Sequence, residues 1–293
     1  MKLTRKIEGI LFILPAFIFL VTIYIYPLSY SLKLSFFKKS LATQESYFVG
    51  LENYKIIIFA DDLFWTTVKN TIVFTIGSVV GQIAIGLGLA LLLNQKIKGR
   101  DFFRGLWLFP WVLPPAMVAL LWIWLYHPQL GIFNDILIKL RILTEPIQML
   151  GDPTLAMVGA IITNLWRGFP LSMVMFLASL QAIPVELYEA SIIDGASAVQ
   201  KFRYITFPLI KYTFLLLILL ITIWTFGFFD LIWVLTRGGP FDATEVLPTY
   251  VYRMTFMYLK FGYGSALSWF IVIFIGLFSF LYVSIWRKIS GEI

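Results

Sequence analysis

Few side chains in this 293-residue chain are equipped for covalent or metal chemistry. Cysteine is absent and His127 is the only histidine. That excludes thiolate nucleophiles, disulfide frameworks, Cys-based zinc or iron–sulfur sites and multi-histidine metal sites. A Ser-His-Asp pairing would have to use His127, which stands next to Pro128 at the end of an apolar stretch. Two sets of polar residues remain. Gln82, Asn164, Arg167, Thr225 and Asp230 are embedded in apolar sequence, where a polar group is costly unless it faces a cavity or a partner. Glu186, Glu189 and Asp194 sit in one short connection. There Leu187, Ala190, Ile193 and Asp194 recur at helical spacing, as do Glu186, Glu189 and Ile193, giving a helix with an apolar and an acidic face.

The elements that must position these residues belong in lipid. The chain is 60% apolar and 13% charged, against about 45–50% and about 25% for soluble domains, which is wrong for a soluble enzyme. A bilayer core takes about 20 apolar helical residues. Stretches free of Asp, Glu, Lys and Arg run from Gly9 to Leu32, Thr71 to Gln95, Gly105 to Asn134, Tyr212 to Phe229 and Phe261 to Trp286. A further stretch, Pro153 to Val185, is interrupted only by Arg167. The expected fold is an all-α membrane protein, one domain over 1–293, with spans near 9–31, 70–94, 106–127, 155–180, 211–235 and 264–286. The first stretch is too long for a cleaved signal peptide and reads as an anchor.

Basic flanks orient the spans. Lys2, Arg5 and Lys6, then Lys96, Lys98, Arg100 and Arg104 against Asp101, then Arg287 and Lys288 all fall on one side. The positive-inside rule makes that side cytoplasmic, with both termini there. The segment 33–69 balances five lysines against Glu45, Glu52, Asp61 and Asp62, as an external loop can. The net charge of +7 is therefore a topology signal, and no basic face with stacking aromatics points to nucleic acid. Pro15, Pro27, Pro110, Pro114, Pro115 and Pro170 mark bends or entries of spans that need neighbouring helices. Gly77 and Gly81 stand at GxxxG spacing, which permits close helix approach.

The connection after the fourth span is built as more than a connector. Pro184 and Glu186 begin a helix over about 184–194, Gly195 ends it, and Ser197 with Gln200 forms a capping box for a second helix running toward Pro208. A helix resting on lipid headgroups would carry Lys and Arg on its polar face. Acids stand there instead, which favours a docked protein partner. Glu189-Ala190-Ser191, Asp194-Gly195-Ala196 and Ile205-Thr206-Phe207-Pro208 resemble the EAA loop of permease subunits in binding-protein-dependent ABC importers, with Ser191 where a second Ala is usual. Leu180-Gln181-Ala182-Ile183-Pro184, Leu235-Thr236-Arg237-Gly238-Gly239-Pro240 and Gly262-Tyr263-Gly264-Ser265-Ala266 are similar to its carbohydrate-uptake branch, the relatives of maltose and glycerol-3-phosphate permeases.

The resemblance implies a six-helix type I importer permease in a prokaryotic plasma (inner) membrane. Its implied partners are a second homologous permease, two ATP-binding cassette ATPase subunits and an extracytoplasmic solute-binding protein. It implies an ATPase-coupling surface of Glu186, Glu189, Ala190, Ser191, Asp194, Gly195 and Ala196, with Glu189 meeting basic ATPase residues. ATP and Mg would be bound by the partner subunits, with no cofactor on this chain, which lacks a GxxxxGK[ST] phosphate loop. The chain is then a translocation subunit and not an enzyme.

Asn164-Leu-Trp-Arg-Gly-Phe-Pro and Phe109-Pro-Trp-Val-Leu-Pro-Pro resemble segments that line the sugar site of the maltose permease. This puts Asn164, Arg167 and Gly168, with Trp111 and Pro115, on the substrate path, joined by Thr225 and Phe228 from the fifth span. Arg167 replaces an uncharged residue of that pattern. It either admits a more polar or anionic solute or forms a structural ion pair with the sister subunit. The expected solute is a di- or oligosaccharide, with glycerol 3-phosphate or another polar solute as the alternative. A gradient-driven secondary transporter is disfavoured by the lack of a visible internal repeat and of a mid-span carboxylate relay. An intramembrane enzyme lacks a catalytic pair.

Overall fold

A computed structural model describes residues 2–44, 46–95 and 98–290, with side chains over 11–288 of these. Glu45 and Lys96, and the side chains of Lys2, Arg5 and Lys6, all used above to orient the chain, lie outside that description. In chain order the elements are α1 (Lys2–Leu20), a π-helical turn (Val21–Ile25), α2 (Tyr26–Ser35), β1 (Phe37–Lys39), β2 (Ser46–Phe48), α3 (Glu52–Phe59) and α4 (Asp62–Leu93). Then follow α5 (Arg100–Val112), α6 (Pro115–Leu125), α7 (Ile132–Lys139), α8 (Pro153–Gln181), α9 (Val185–Ile193) and α10 (Ala198–Lys201). A π-helical turn (Phe202–Thr206) leads into α11 (Phe207–Phe226), α12 (Asp230–Leu235) and α13 (Leu247–Tyr252), and a third (Arg253–Met257) precedes α14 (Phe261–Ser290).

Five helical stretches are long and apolar enough to cross a membrane: Leu11–Ser35, Asp62–Leu93, Pro153–Gln181, Ala198–Phe226 and Phe261–Lys288. The pair α5 and α6 makes a sixth if taken together, bent by 99°. The continuous third span expected over 106–127 is thus broken. Leu113 and Pro114 are extended, with ψ of 136° and 139°, because a residue before proline is pushed out of the helical region and proline itself donates no hydrogen bond. The fifth span expected to reach 235 ends at Phe226, capped by Gly227. The segment 230–235 is the separate helix α12, which packs on α6 and α8 through the buried Leu231, Ile232 and Leu235.

The chain divides into two compact units, 1–65 with 250–273, and 66–249 with 274–293. In the first, β1 and β2 form an antiparallel ribbon with Phe37 opposite Phe48, the one departure from an all-helical architecture among the described residues. Asn53 fastens it by donating to the carbonyls of Ser35 (2.8 Å) and Phe37 (3.0 Å). Asp61 caps α4 through the Phe64 N–H at 3.1 Å and accepts from the hydroxyls of Tyr250 (2.6 Å) and Tyr263. Burial first, and the bond to Asp61 second, push the Tyr250 hydroxyl above its ordinary pKa.

The second unit holds two apolar clusters. One gathers Phe74, Trp122, Tyr126, Met157, Ala160, Leu231 and Ile232; the other gathers Val79, Ile83, Met173, Phe176, Leu177, Leu217 and Ile221. Both draw on α4 and α8. Without a hydrophobic driving force between helices in lipid, such contacts hold by close packing, and small residues on α4 permit it. A Cβ at Gly77 would lie 2.8 Å from Ile161, one at Gly81 would overlap Leu165, and one at Gly86 would overlap Ser172. Along α8, the stretch between the two clusters holds residues 164–168.

Candidate functional site

That stretch faces a cavity of about 40 Å³ lined by Gln82 of α4, Trp111 of α5, Asn164, Arg167, Gly168 and Leu171 of α8, Ile221, Trp224 and Thr225 of α11, and Phe228. Six of the seven residues expected on the substrate path therefore share one lining. Pro115 is not part of it. It is the first residue of α6, at the bend, where a proline ring is tolerated because the N–H it lacks has no helical acceptor.

The polar groups in this lining are held from both sides. Gln82 Nε2 donates to the Asn164 carbonyl at 3.2 Å, and Asn164 Nδ2 donates to Ser78 Oγ at 2.9 Å. Both Gln82 and Asn164 are buried. Gly168 lies directly over the Gln82 carboxamide, which an added Cβ would overlap; the glycine allows the amide into the lining. Thr225 is buried at the end of α11, and the break at Gly227 lets Phe228 turn its ring under Arg167. The guanidinium carbon lies 5.4 Å from that ring's centroid, a cation–π distance.

Arg167 forms no ion pair among the described residues, and its buried Nε has no hydrogen-bond partner there. Asp230, the other charge of the same region, lies exposed in the first turn of α12. His127 Nδ1 accepts from the backbone N–H groups of Gln129 (3.3 Å) and Leu130 (3.2 Å), so it staples a turn. Among the described residues no three His, Asp or Glu side chains gather as metal ligands. The lining puts the Trp111 and Trp224 side chains beside amide and guanidinium donors, the kinds of group that meet the apolar faces and hydroxyl edges of a polyhydroxylated ring, although the cavity of about 40 Å³ is too small to enclose such a ring as it stands.

Leu171, Ile221 and Trp224 escape a search for polar residues in apolar sequence because they are themselves apolar. Helical spacing does reach two of them. Leu171 is four residues from Arg167 on α8 and Ile221 four from Thr225 on α11, so projecting those positions one turn along their helices recovers them; Trp224 is not reached this way, because Phe228 lies beyond the break that ends α11.

The connection from α8 to α11 forms the second candidate surface. α9 starts at Val185, with Pro184 as its cap residue, one position later than expected. Gly195 adopts φ +73°, a left-handed conformation that closes the helix. The capping box of α10 is complete, with Ser197 N donating to Gln200 Oε1 (2.7 Å) and Gln200 N to Ser197 Oγ (3.3 Å). α10 continues through the π turn into α11 and is not a free-standing helix.

On α9 only Ser191 is buried, its hydroxyl donating to the Tyr188 carbonyl at 2.7 Å, and the Tyr188 hydroxyl pairs with that of Thr206 at 2.9 Å. Glu186, Glu189, Ala190, Asp194 and Gly195 are exposed and Ala196 is half-buried. Ile192 and Ile193 are 62% and 87% exposed. The element thus offers apolar and acidic surface that its own chain leaves uncovered.

A family model described as the inner membrane component of binding-protein-dependent transport systems matches residues 82–290. The trehalose/maltose transport system permease protein MalF of Thermococcus litoralis is 36% identical, over 98% of each chain. The sulfoquinovosyl glycerol transport system permease protein SmoG of Agrobacterium fabrum is 36% identical, over 92% of this chain and 86% of its own. Among solved structures, a bacterial ABC transporter involved in import of the acidic polysaccharide alginate contains a chain that superposes with a TM-score of 0.85 at 22% identity, covering 99% of this chain and all of that one. A second structure of the alginate ABC transporter, in complex with an alginate pentasaccharide-bound periplasmic protein, gives 0.84 at 21% identity. These likenesses show the importer-permease fold.

Proposed function

The chain belongs to the family of binding-protein-dependent transport system inner membrane components, and from that membership we propose that it is a translocation subunit of an ATP-driven sugar importer. The observation that carries the reading is the lining around Arg167, where aromatic faces and hydrogen-bonding groups from α4, α5, α8 and α11 meet within apolar spans. A di- or oligosaccharide is delivered by an extracytoplasmic binding protein and passes over Trp111, Asn164, Arg167, Gly168, Thr225 and Phe228. Pro115 acts by setting the bend between α5 and α6. The names of the relatives, two sugar permeases, support a sugar. A solute carrying an acidic group is the second reading, favoured by a guanidinium that forms no ion pair among the described residues. The gradient-driven transporter and the intramembrane enzyme are set aside by the family.

In this proposal the whole of 1–293 is one permease domain with both termini cytoplasmic. It pairs with a second permease and rests on two ATPase subunits, which bind ATP and Mg. α9 is the coupling helix: Ile192 and Ile193 enter an ATPase groove, and Glu186, Glu189 and Asp194 meet basic residues at its rim. Ser191, Gly195 and Ala196 shape the helix and its end. Affinity purification of the native complex tests this. An ATPase subunit is expected to accompany the wild-type chain and to be lost from Glu189→Lys, with the second permease retained. Retention of the ATPase by Glu189→Lys would refute the coupling role.

A further inference from the structure

The loop 236–246 after α12 is both strained and fastened. Arg237, Phe241 and Asp242 have φ of 54°, 49° and 61°, the left-handed region in which an L side chain is disfavoured and Gly or Asn is usual. Phe241 and Asp242 are consecutive, which compounds the cost. A dense set of hydrogen bonds imposes this shape. The Thr236 and Thr244 hydroxyls pair at 2.6 Å, and the Thr244 hydroxyl donates to the Gly239 carbonyl at 2.7 Å. Ala243 N donates to the Pro240 carbonyl, and Thr244 N to that of Gly238. Asn70 Nδ2 donates to the carbonyls of Asp242 and Glu245, both at 3.0 Å. Thr244 and Glu245 are fully buried beneath.

The result is that Phe241 is 93% exposed at the tip of a hydrogen-bonded turn, with no ring contact among the described residues. A turn needed only to return the chain would place Gly or Asn there. Strain of this kind persists where the surrounding structure over-determines it and where it serves a site. Here it serves to present one bulky aromatic to something outside the chain. The loop lies beyond the C-terminal end of α11, whereas α9 and α10 lie before its N-terminal end, so one crossing separates them. On the reading above, which this inference requires, α9 meets the ATPase and the far side meets the soluble binding protein.

We propose that Phe241 is an anchor for the extracytoplasmic binding protein, entering an apolar recess on that protein's docking face. A rigid aromatic on a preorganised loop gives up little side-chain freedom on binding, as anchoring residues at interfaces do.

The test uses the full permease–ATPase complex in lipid nanodiscs and the soluble binding protein that stimulates its ATPase activity. Phe241→Gly is expected to leave the complex's thermal midpoint unchanged or raised, because Gly accepts the left-handed conformation, while weakening the binding protein's affinity about tenfold or more. Phe241→Trp is expected to keep the affinity. Wild-type affinity in Phe241→Gly would overturn the proposal. So would quenching of the Phe241→Trp indole by brominated lipid, which would put the loop in the membrane interface. A wild-type complex that no binding protein stimulates would overturn the importer reading itself, and the anchor with it.

Discussion

Gly168 is the position at which the cavity can absorb least. Any side chain there meets the Gln82 carboxamide, and Gln82 is tied to Asn164, which is tied to Ser78. Gly168→Leu is expected to displace Gln82 and strand a buried amide, costing about 1–3 kcal/mol, and to abolish sugar uptake while the complex still assembles; a thermal melt beside a transport assay separates the two effects. Asn164→Leu removes the amide that donates to Ser78 Oγ but keeps the backbone carbonyl that accepts from Gln82, so it is expected to lower the thermal midpoint by the one lost bond, about 0.5–1.5 kcal/mol, whereas Ser78→Ala strands the buried Asn164 amide and costs about 1–3 kcal/mol. Much of this lining was legible in the sequence, because a polar residue in an apolar span has few innocent explanations. Leu171, Ile221 and Trp224 carried no such mark. The register of α4 against α8, which brings Gln82 over Gly168, depends on contacts between residues more than 80 positions apart.

Among the elements, α9 has little support from its own chain, with Ser191 its one buried residue, and so has much to gain from a partner. Ser197→Ala removes the capping box and should destabilise the start of α10 by about 0.5–2 kcal/mol, read as faster amide exchange over 185–201 in the assembled complex and weaker coupling of ATP hydrolysis to uptake. α8 shows the opposite case of a helix start tied to charge. Asp152 accepts from the backbone N–H groups of Thr154 (2.7 Å) and Leu155 (3.1 Å), which hold its carboxyl below the ordinary 3.8. Because the folded value is the lower one, its contribution is complete above the ordinary value and is lost as pH falls through the folded one. Acidification in that window is expected to lower the wild-type thermal midpoint by a component that Asp152→Asn lacks. Caps and stops at this scale were readable: Gly195, Ser197 and Gln200 stand where residue type alone puts them. The break between α5 and α6 was readable as prolines but not as a 99° bend, since proline forbids a helix without stating where the chain goes next. The ribbon of β1 and β2 has strands of three residues each, too short to leave a periodic trace.

For the whole molecule, the balance of 60% apolar and 13% charged residues gave the membrane, and the acidic, capped connection gave the kind of machine. The division into two units was hidden, because it rests on pairings such as Asp61 with Tyr250 and Tyr263 that no local pattern encodes. The central claim is that this chain carries a sugar across a membrane at the expense of ATP hydrolysed by its partners. Uptake of radiolabelled maltose and trehalose, and of a uronic acid disaccharide, into proteoliposomes holding the complete complex and its binding protein measures this directly. The account predicts accumulation of at least one of these sugars that requires ATP on the ATPase side, survives collapse of ion gradients and disappears in Glu189→Lys. Uptake that persists without ATP and follows an imposed ion gradient would contradict it.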